Sequence, residues 1–163
     1  MIKMIRIDER LIHGQVAVIW SKYLGIDHIL VINDHAAEDP IMKSTLKLAA
    51  PDNVKVLIVN HAKGEALLTD PRINQLNMLI VVNSPKDAAF ATTHNAAIKK
   101  VNVGNYGRAN ATDESVGTKE KINDNVYLDD EDKRILKDLL VKGLTVEYQL
   151  VPDTPVTNLK DKL

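Results

Sequence analysis

The stretch Ile2-Lys3-Met4-Ile5-Arg6-Ile7-Asp8-Glu9-Arg10-Leu11-Ile12-His13-Gly14-Gln15-Val16 joins an apolar strand, a polar turn and the opening of a helix. Ile2 to Ile7 reads as the strand. Beyond the turn, Val16, Ile19, Trp20, Tyr23 and Leu24 recur at helical spacing, and Gly25 is a fitting stop. The same two-part unit recurs along the chain. Strand-like runs rich in Val, Ile and Leu occur at Met4–Ile7, Ile29–Asn33, Val54–Val59, Met78–Val82, Lys100–Val103 and Thr145–Leu150. Such continuous apolar runs suit strands buried on both faces. Helical stretches lie between them. One has Asp39 as N-cap and Pro40 in its first turn, and ends before Pro51. A short one covers His61 to Leu68. An alanine-rich one opens at Ser84-Pro85 and runs to about Ile98, and the last runs from Asp129 or Asp130 to Lys142. In that last helix Ile135, Leu136, Leu139 and Leu140 share a face, and Gly143 closes it. Alternating strands and helices predict an α/β fold: one domain over 1–163, an open, mainly parallel twisted sheet with helices on both faces. The polar stretch Asn110 to Asn125 is expected to be a short strand or a surface loop. The tail after Pro152, with Pro155, is expected on the surface.

Composition narrows the function. The chain has 163 residues, 45% of them hydrophobic, enough for a real core. A net charge of -1 argues against nucleic acid as a partner. No apolar run approaches the roughly 20 residues that span a bilayer, and the N-terminus lacks a signal-peptide core. The absence of cysteine excludes disulfides and thiolate zinc sites and makes the cytosol the expected compartment. No two histidines have metal-ligand spacing, so no metal is expected. Gly104-x-x-Gly107-Arg108 lacks the Gly-Lys-Ser/Thr ending of a phosphate loop, and no dinucleotide fingerprint follows the first strand. No cofactor is expected.

In an open parallel sheet, ligands bind beyond the carboxyl ends of the strands. The residues there are Asp8, Glu9, Arg10 and His13; Asn33, Asp34 and His35; Asn60 and His61; Asn83 and Ser84; and Gly104 to Arg108. His13 precedes a helix N-terminus, where free N–H groups and the helix dipole favour negative charge, and arginines lie close by. That is the environment a phosphorylated histidine needs; the plain alternative is a surface or capping histidine. Arg10 offers a bidentate fork to a phosphate, or is a solvated arginine or a partner for Asp8. Asp8 holds the imidazole tautomer, anchors Arg10, or makes only a local turn bond. Gly14 allows close approach of backbone to phosphate, or simply starts the helix. Gln15 caps the helix or donates to phosphate. His35 and His61 read more readily as exposed loop histidines than as docking residues.

The stretch Arg6 to Val16 resembles the active-site loop of the IIB component of the mannose/fructose/sorbose family of the phosphoenolpyruvate:sugar phosphotransferase system. Other segments are similar to the same family: Val31-Ile32-Asn33-Asp34 with Asp39-Pro40, Leu48-Ala49-Ala50-Pro51 with Val54-Lys55, and Val101-Asn102-Val103-Gly104. So are Leu128, Asp132, Leu139, Leu140 and Gly143, followed by Gln149-Leu150-Val151-Pro152. The resemblance covers nearly the whole chain, as a single IIB domain. One departure is Gly104-Asn105, where the family often has two glycines; asparagine tolerates left-handed backbone better than most residues. The resemblance implies a phosphotransferase active in sugar uptake. A IIA partner donates from phosphohistidine, His13 accepts on Nδ1, and the membrane IIC/IID components receive the group for an incoming sugar. It implies a cytoplasmic protein at the membrane transporter, and family members often form homodimers. Arg10 and Asp8 would serve catalysis, and Gly14 and Gln15 the phosphate. Arg6, Asn33, Asp34, Ser84 and Arg108 would lie on the rim or docking face, unless Arg6 and Arg108 are unrelated surface charges. Two rivals remain at this point: a histidine phosphatase or mutase, and a non-catalytic ligand-binding α/β domain.

Overall fold

The computed structural model describes residues 1–108 and 119–163. Strands β1 (Ile2–Ile7), β2 (His28–Ile32), β3 (Lys55–Val59), β4 (Met78–Val82), β5 (Lys100–Val103), β8 (Thr145–Tyr148) and β9 (Thr157–Asn158) form a seven-stranded sheet in the order β3-β2-β4-β1-β5-β8-β9. Every pairing is parallel except β8 with β9. Strand β1 lies inside the sheet between β4 and β5. From β1 the chain moves outward to β2 and β3, returns at β4, and crosses to β5 on the far side. The carboxyl end of β1 therefore sits where the winding reverses, the position at which such sheets open a crevice. β6 (Glu120–Asn123) and β7 (Val126–Leu128) form a separate antiparallel hairpin.

Alternation along the strands divides the core into two layers. Ile5, Ile7, Leu30, Ile32, Met78, Ile80 and Val82 face α4 (His61–Thr69), α5 (Pro85–His94) and α6 (Asp130–Val141) through Leu68, Ala88, Ala91, Leu136 and Leu139. Met4, Ile29, Val31, Leu79 and Val81 face the opposite way. There they meet Trp20 of α1 (Gly14–Leu24), Ala36 of α2 (Asp34–Glu38) and Leu46 of α3 (Pro40–Ala49). The doubly covered parallel sheet is thus the one expected from the apolar runs. Local chemistry sets the helix ends. The Asp39 carboxylate accepts the Ile41 and Met42 N–H groups at 3.0 and 3.2 Å. Asp129 and Asp132 form a reciprocal capping box at the start of α6.

Several boundaries differ from the sequence reading. Helix α5 ends at His94, short of Ile98, because Asn95 offers its backbone competing bonds. Its Oδ1 accepts the Ala97 N–H at 2.9 Å and its Nδ2 donates to the Leu68 carbonyl at 3.0 Å. Strand β2 stops at Ile32, since Asn33 turns to cap α2, a helix not foreseen. Strand β8 stops at Tyr148, where the Gln149 side chain donates to the carbonyls of Pro152 and Thr154 at 3.0 and 2.9 Å and curls the chain. The stretch expected to be irregular holds β6 and then leads into β7; its residues 110–118 lie outside the described residues. The tail corrects the expectation of surface chain: Thr157 and Asn158 pair with Tyr148 and Glu147, and Leu159 is completely buried in the core. Leu159→Ala should therefore cost about 2–5 kcal/mol, the range for a large-to-small core change. Urea unfolding monitored through Trp20 should show a lower midpoint with an unchanged m-value; a midpoint within error of wild type would return the tail to the surface.

Candidate functional site

The loop after β1 is fixed from several sides. The Asp8 N–H donates to the Val82 carbonyl at 2.9 Å, and the Glu9 N–H donates to the Asn105 carbonyl at 2.8 Å. The Gly107 N–H in turn reaches the Glu9 carboxylate at 3.3 Å. Leu11 and Ile12 are buried beside Trp20, which pulls the loop down onto α1. Leu11 pays in backbone strain for this: its φ of 61° lies in the left-handed region, unusual for leucine and typical of functional loops. Its N–H closes a turn on the Asp8 carbonyl at 2.9 Å. His13 then runs extended as the N-cap of α1, and Gly14 follows at φ 47°. A Cβ at Gly14 would touch nothing, so backbone conformation alone calls for glycine there.

The centre of the loop is Asp8, whose carboxylate is fully buried. One oxygen, Oδ2, accepts from His13 Nε2 at 3.0 Å; the other, Oδ1, accepts the Arg10 N–H at 3.1 Å. The Arg6 guanidinium approaches Oδ2 to 3.6 Å, too long for a hydrogen bond but close enough for strong charge interaction in so dry a place. A carboxylate accepts only, so the His13 proton belongs on Nε2 and the lone pair on Nδ1. Among the described residues nothing bonds Nδ1, and the ring is about a fifth exposed. The N-terminus of α1 carries no side-chain cap and no acidic residue in its first turn. An anion on Nδ1 would meet uncapped N–H groups and the positive end of the helix dipole.

The other residues singled out in the sequence fall in different places. The Arg10 side chain is exposed and without an acceptor among the described residues, and Gln15 is exposed in the first turn of α1. Asn33 and Ser84 are occupied as caps: Asn33 Oδ1 accepts the Ala36 N–H at 2.8 Å and Ser84 Oγ accepts the Asp87 N–H at 3.1 Å. Arg108 is exposed beside the β6–β7 hairpin, where the Asp124 carboxyl is held low by its bond to Lys121 and the Lys121 charge, with Arg108 adding a smaller effect. Arg6 requires a correction. The resemblance implies a rim or docking charge at this position, yet only 3% of it is exposed. Its Nη1 donates to Asn102 Oδ1 at 2.5 Å and to the Gln149 carbonyl at 3.1 Å, and its Nη2 donates to the Leu150 carbonyl at 3.0 Å. It also lies over the Trp20 ring, 5.2 Å from the centroid, while Trp20 Nε1 donates to the same Leu150 carbonyl at 3.0 Å. Burial lowers the Arg6 pKa and Asp8 opposes that shift; an arginine so placed stays charged. The sequence reading missed Trp20, Gln149 and Leu150 as parts of this site. Asn102 carried a signal, a polar side chain in the middle of an apolar strand. Neither Gly104 nor Asn105 has left-handed backbone, so the turn does not call on asparagine's tolerance of it; the left-handed residue is Gly107, at φ 85°.

A second polar cluster occupies the same rim at the ends of β2 and β3. His61 Nδ1 bonds Asp34 Oδ1 at 2.9 Å and Nε2 bonds Asp87 Oδ1 at 2.7 Å, with Phe90 packed edge-on at 4.8 Å between centroids. His61 is thus neither a free loop histidine nor open to a partner.

These features define an α/β protein with an imidazole poised at a helix N-terminus, the class to which the IIB domains of sugar phosphotransferase systems belong. The model of the PTS system sorbose subfamily IIB component matches residues 2–163. A probable phosphotransferase enzyme IIB component of Streptococcus pyogenes is 36% identical over 160 residues, covering 98% of this chain and 97% of that protein. The mannose-specific EIIAB component of Escherichia coli K12 is 30% identical over 156 residues, which are 96% of this chain but 46% of that longer protein. The crystal structure of the IIBSor domain of the sorbose permease from Klebsiella pneumoniae superposes with a TM-score of 0.88 at 28% identity, covering 99% of this chain and 95% of that one. The chain belongs to the sorbose subfamily of phosphotransferase-system IIB components, and with that the phosphatase or mutase reading and the non-catalytic reading fall away.

The His61 cluster gives stability a pH dependence of known sign. Burial opposes charging of the ring, but bonds to Asp34 and Asp87 and their charges outweigh it and raise its pKa above 6.5. Stability from a raised histidine is present in full below the unfolded-state value and lost as pH rises through the folded one. Asp34, held low by the His61 N–H and ring, acts oppositely, its contribution fading as pH falls below the ordinary carboxylate range. Thermal melts should show wild type losing stability, relative to His61→Gln, as pH rises from about 6.5. Parallel profiles for the two proteins would remove the ion-pair role.

Proposed function

We propose that this protein carries a phosphoryl group from a IIA donor to an incoming sugar, with His13 as the acceptor. The observation that supports this most directly is the bond from His13 Nε2 to the buried Asp8, which leaves Nδ1 as the ring nitrogen without a partner among the described residues, on the residue that precedes the start of α1. In the first transfer Nδ1 uses its lone pair to attack the phosphorus of the donor phosphohistidine. A new N–P bond forms as the donor N–P bond breaks, and the donor imidazole leaves with the bonding pair. In the second, a sugar hydroxyl attacks the same phosphorus, the His13 N–P bond breaks with its electron pair returning to Nδ1, and the hydroxyl proton passes to solvent water. Both steps depend chiefly on positioning and on stabilising the equatorial oxygens. The N–H groups at the start of α1, freed by Gly14, supply one part of that stabilisation. Arg10, exposed and without another acceptor among the described residues, supplies a planar fork to the same oxygens. Gln15 donates from the first turn, and Asp8 holds the ring.

The donor is a IIA protein or domain, a partnership supported by the relative whose name joins IIA and IIB components. The membrane step belongs to IIC and IID components, against which the protein docks in the cytoplasm. Direct transfer puts His13 at the centre of both interfaces, so the two partners bind in turn. Asp34, Ser84 and Arg108 lie on the rim surrounding that centre.

Incubation with phosphorylated IIA and radiolabelled donor tests the assignment. His13→Ala should fold as wild type and take up no acid-labile phosphate; continued labelling would move the acceptor elsewhere. Arg10→Ala should slow uptake roughly 10- to 150-fold, the equivalent of a hydrogen bond to a charged group worth about 1.5–3 kcal/mol. Arg10→Lys should recover only part of that loss, since lysine lacks the fork. Wild-type rates in Arg10→Ala would take Arg10 out of the site.

A further inference from the structure

We propose that Arg6 is a positioning residue for His13, acting from beneath the loop through Asp8 and itself held by Asn102, Gln149, Leu150 and the space that Gly104 leaves. The proposal deepens the assignment of His13 as acceptor and rests on it for its catalytic meaning, although its physical core can be measured without any phosphoryl transfer.

A fully buried carboxylate is tolerable only with a countercharge or a full set of donors. Asp8 has the Arg10 N–H, the His13 ring and, as its one fixed positive charge within 4 Å among the described residues, Arg6. Without that charge, a carboxyl group in so dry a place is neutralised by taking up a proton. A protonated carboxyl donates; the imidazole nitrogen facing it must then accept. The ring proton would move to Nδ1 and the lone pair to Nε2, against Asp8, where no donor phosphate can reach it. Arg6 thereby sets which nitrogen of His13 is nucleophilic.

The surroundings of Arg6 are built for this one orientation. Its three strong hydrogen bonds go to neutral acceptors, Asn102 Oδ1 and two main-chain carbonyls, and among the described residues the carboxylate within 4 Å of its charge is Asp8. Among the described residues Asn102 Nδ2 is buried without a partner, a cost accepted while Oδ1 serves Arg6. Gly104 is glycine for room: a Cβ there would lie 2.2 Å from Arg6 Nη2 and 2.6 Å from Cζ. Its backbone is not left-handed, so alanine is conformationally permitted and would act by displacing the guanidinium. The bend after β8, held by Gln149, presents its carbonyls to Arg6 and Trp20, so chain far from the loop holds the charge in place.

Ring-nitrogen NMR of 15N-labelled protein at about pH 8.5, well above the ordinary imidazole value, tests the proposal. In wild type, His13 should show one protonated nitrogen, Nε2, and one bare nitrogen, Nδ1, with widely separated shifts. In Arg6→Gln and Gly104→Ala the two shifts should converge as the other tautomer fills, and phosphoryl uptake should fall on the order of 10- to 100-fold, as when outer partners of other oriented imidazoles are removed. Arg6→Lys, which keeps the charge and loses the fork, should lie between. Gly104→Ala retains the guanidinium and guards against a fold lost with Arg6→Gln; amide spectra report folding in each. A wild-type ring pattern in folded Arg6→Gln and Gly104→Ala, or a proton on Nδ1 in wild type, overturns the proposal. An Nε2–H ring that depends on Arg6, in a protein that takes up no phosphate, upholds the positioning role and overturns only the assignment of His13 as acceptor.

Discussion

A charge shut away from water, the Asp8 carboxylate, is the constraint on which the site depends. Taking it out of solvent costs several kcal/mol unless partners replace its hydration. The fold meets that demand with an imidazole, a main-chain N–H and a guanidinium, each supplied by a different structural device. The imidazole comes from the N-cap position of α1, the N–H from a turn closed by a left-handed Leu11, and the guanidinium from inside β1 itself. Each of these groups is also ordered by Asp8. The loop is consequently rigid for reasons of electrostatics as much as of packing, and its one outward-facing lone pair is a by-product of inward-facing bonds.

The same sheet edge carries a second ionic cluster built on an opposite plan. At His61 the histidine is the central group and two carboxylates flank it; at Asp8 the carboxylate is central and two cations or potential cations flank it. Both nitrogens of His61 are taken, which ties α2, α4 and α5 together at the rim. One nitrogen of His13 is open. Two histidines that look alike in the sequence, each following a strand of the same sheet, are thus separated in role by how many acceptors their neighbours present.

The βα unit at the N-terminus was legible because several local signals agree: an apolar run, a polar break, helical periodicity and Gly25. The helix from Pro40 and its Asp39 cap were equally plain, and the run of apolar strands announced a parallel sheet. Asn95, by contrast, ends α5 through bonds to Leu68 and to its own following backbone, and only the first of these partners is distant. Leu159 looked like surface tail because two hydrogen-bonded residues, Thr157 and Asn158, are too short a strand to leave a pattern. His13 and Asp8 could be singled out in the sequence because polar chemistry at the end of a strand stands out against apolar neighbours, and the structure joins the two by a hydrogen bond. Arg6 could not be read correctly. An arginine within a strand gives no hint that its acceptors are carbonyls beyond β8, and Gly104 suggests a turn until the guanidinium is seen to fill its missing side chain.

The separation of Arg6 from its acceptors bears on the order in which the molecule can be completed. Asn102, Gln149 and Leu150 lie 96, 143 and 144 residues further along the chain. Strand β1 is made first on the ribosome, yet it is an interior strand whose neighbours β4 and β5 emerge much later. Such distant pairings are slow to close and leave the first segment waiting as an unpartnered apolar strand. Its arginine stays unsatisfied longer still, until the turn beyond β8 arrives. Any chain interrupted before residue 150 can therefore build much of the sheet without assembling the charge arrangement beneath His13, and that arrangement waits on the turn beyond β8 rather than on the formation of secondary structure.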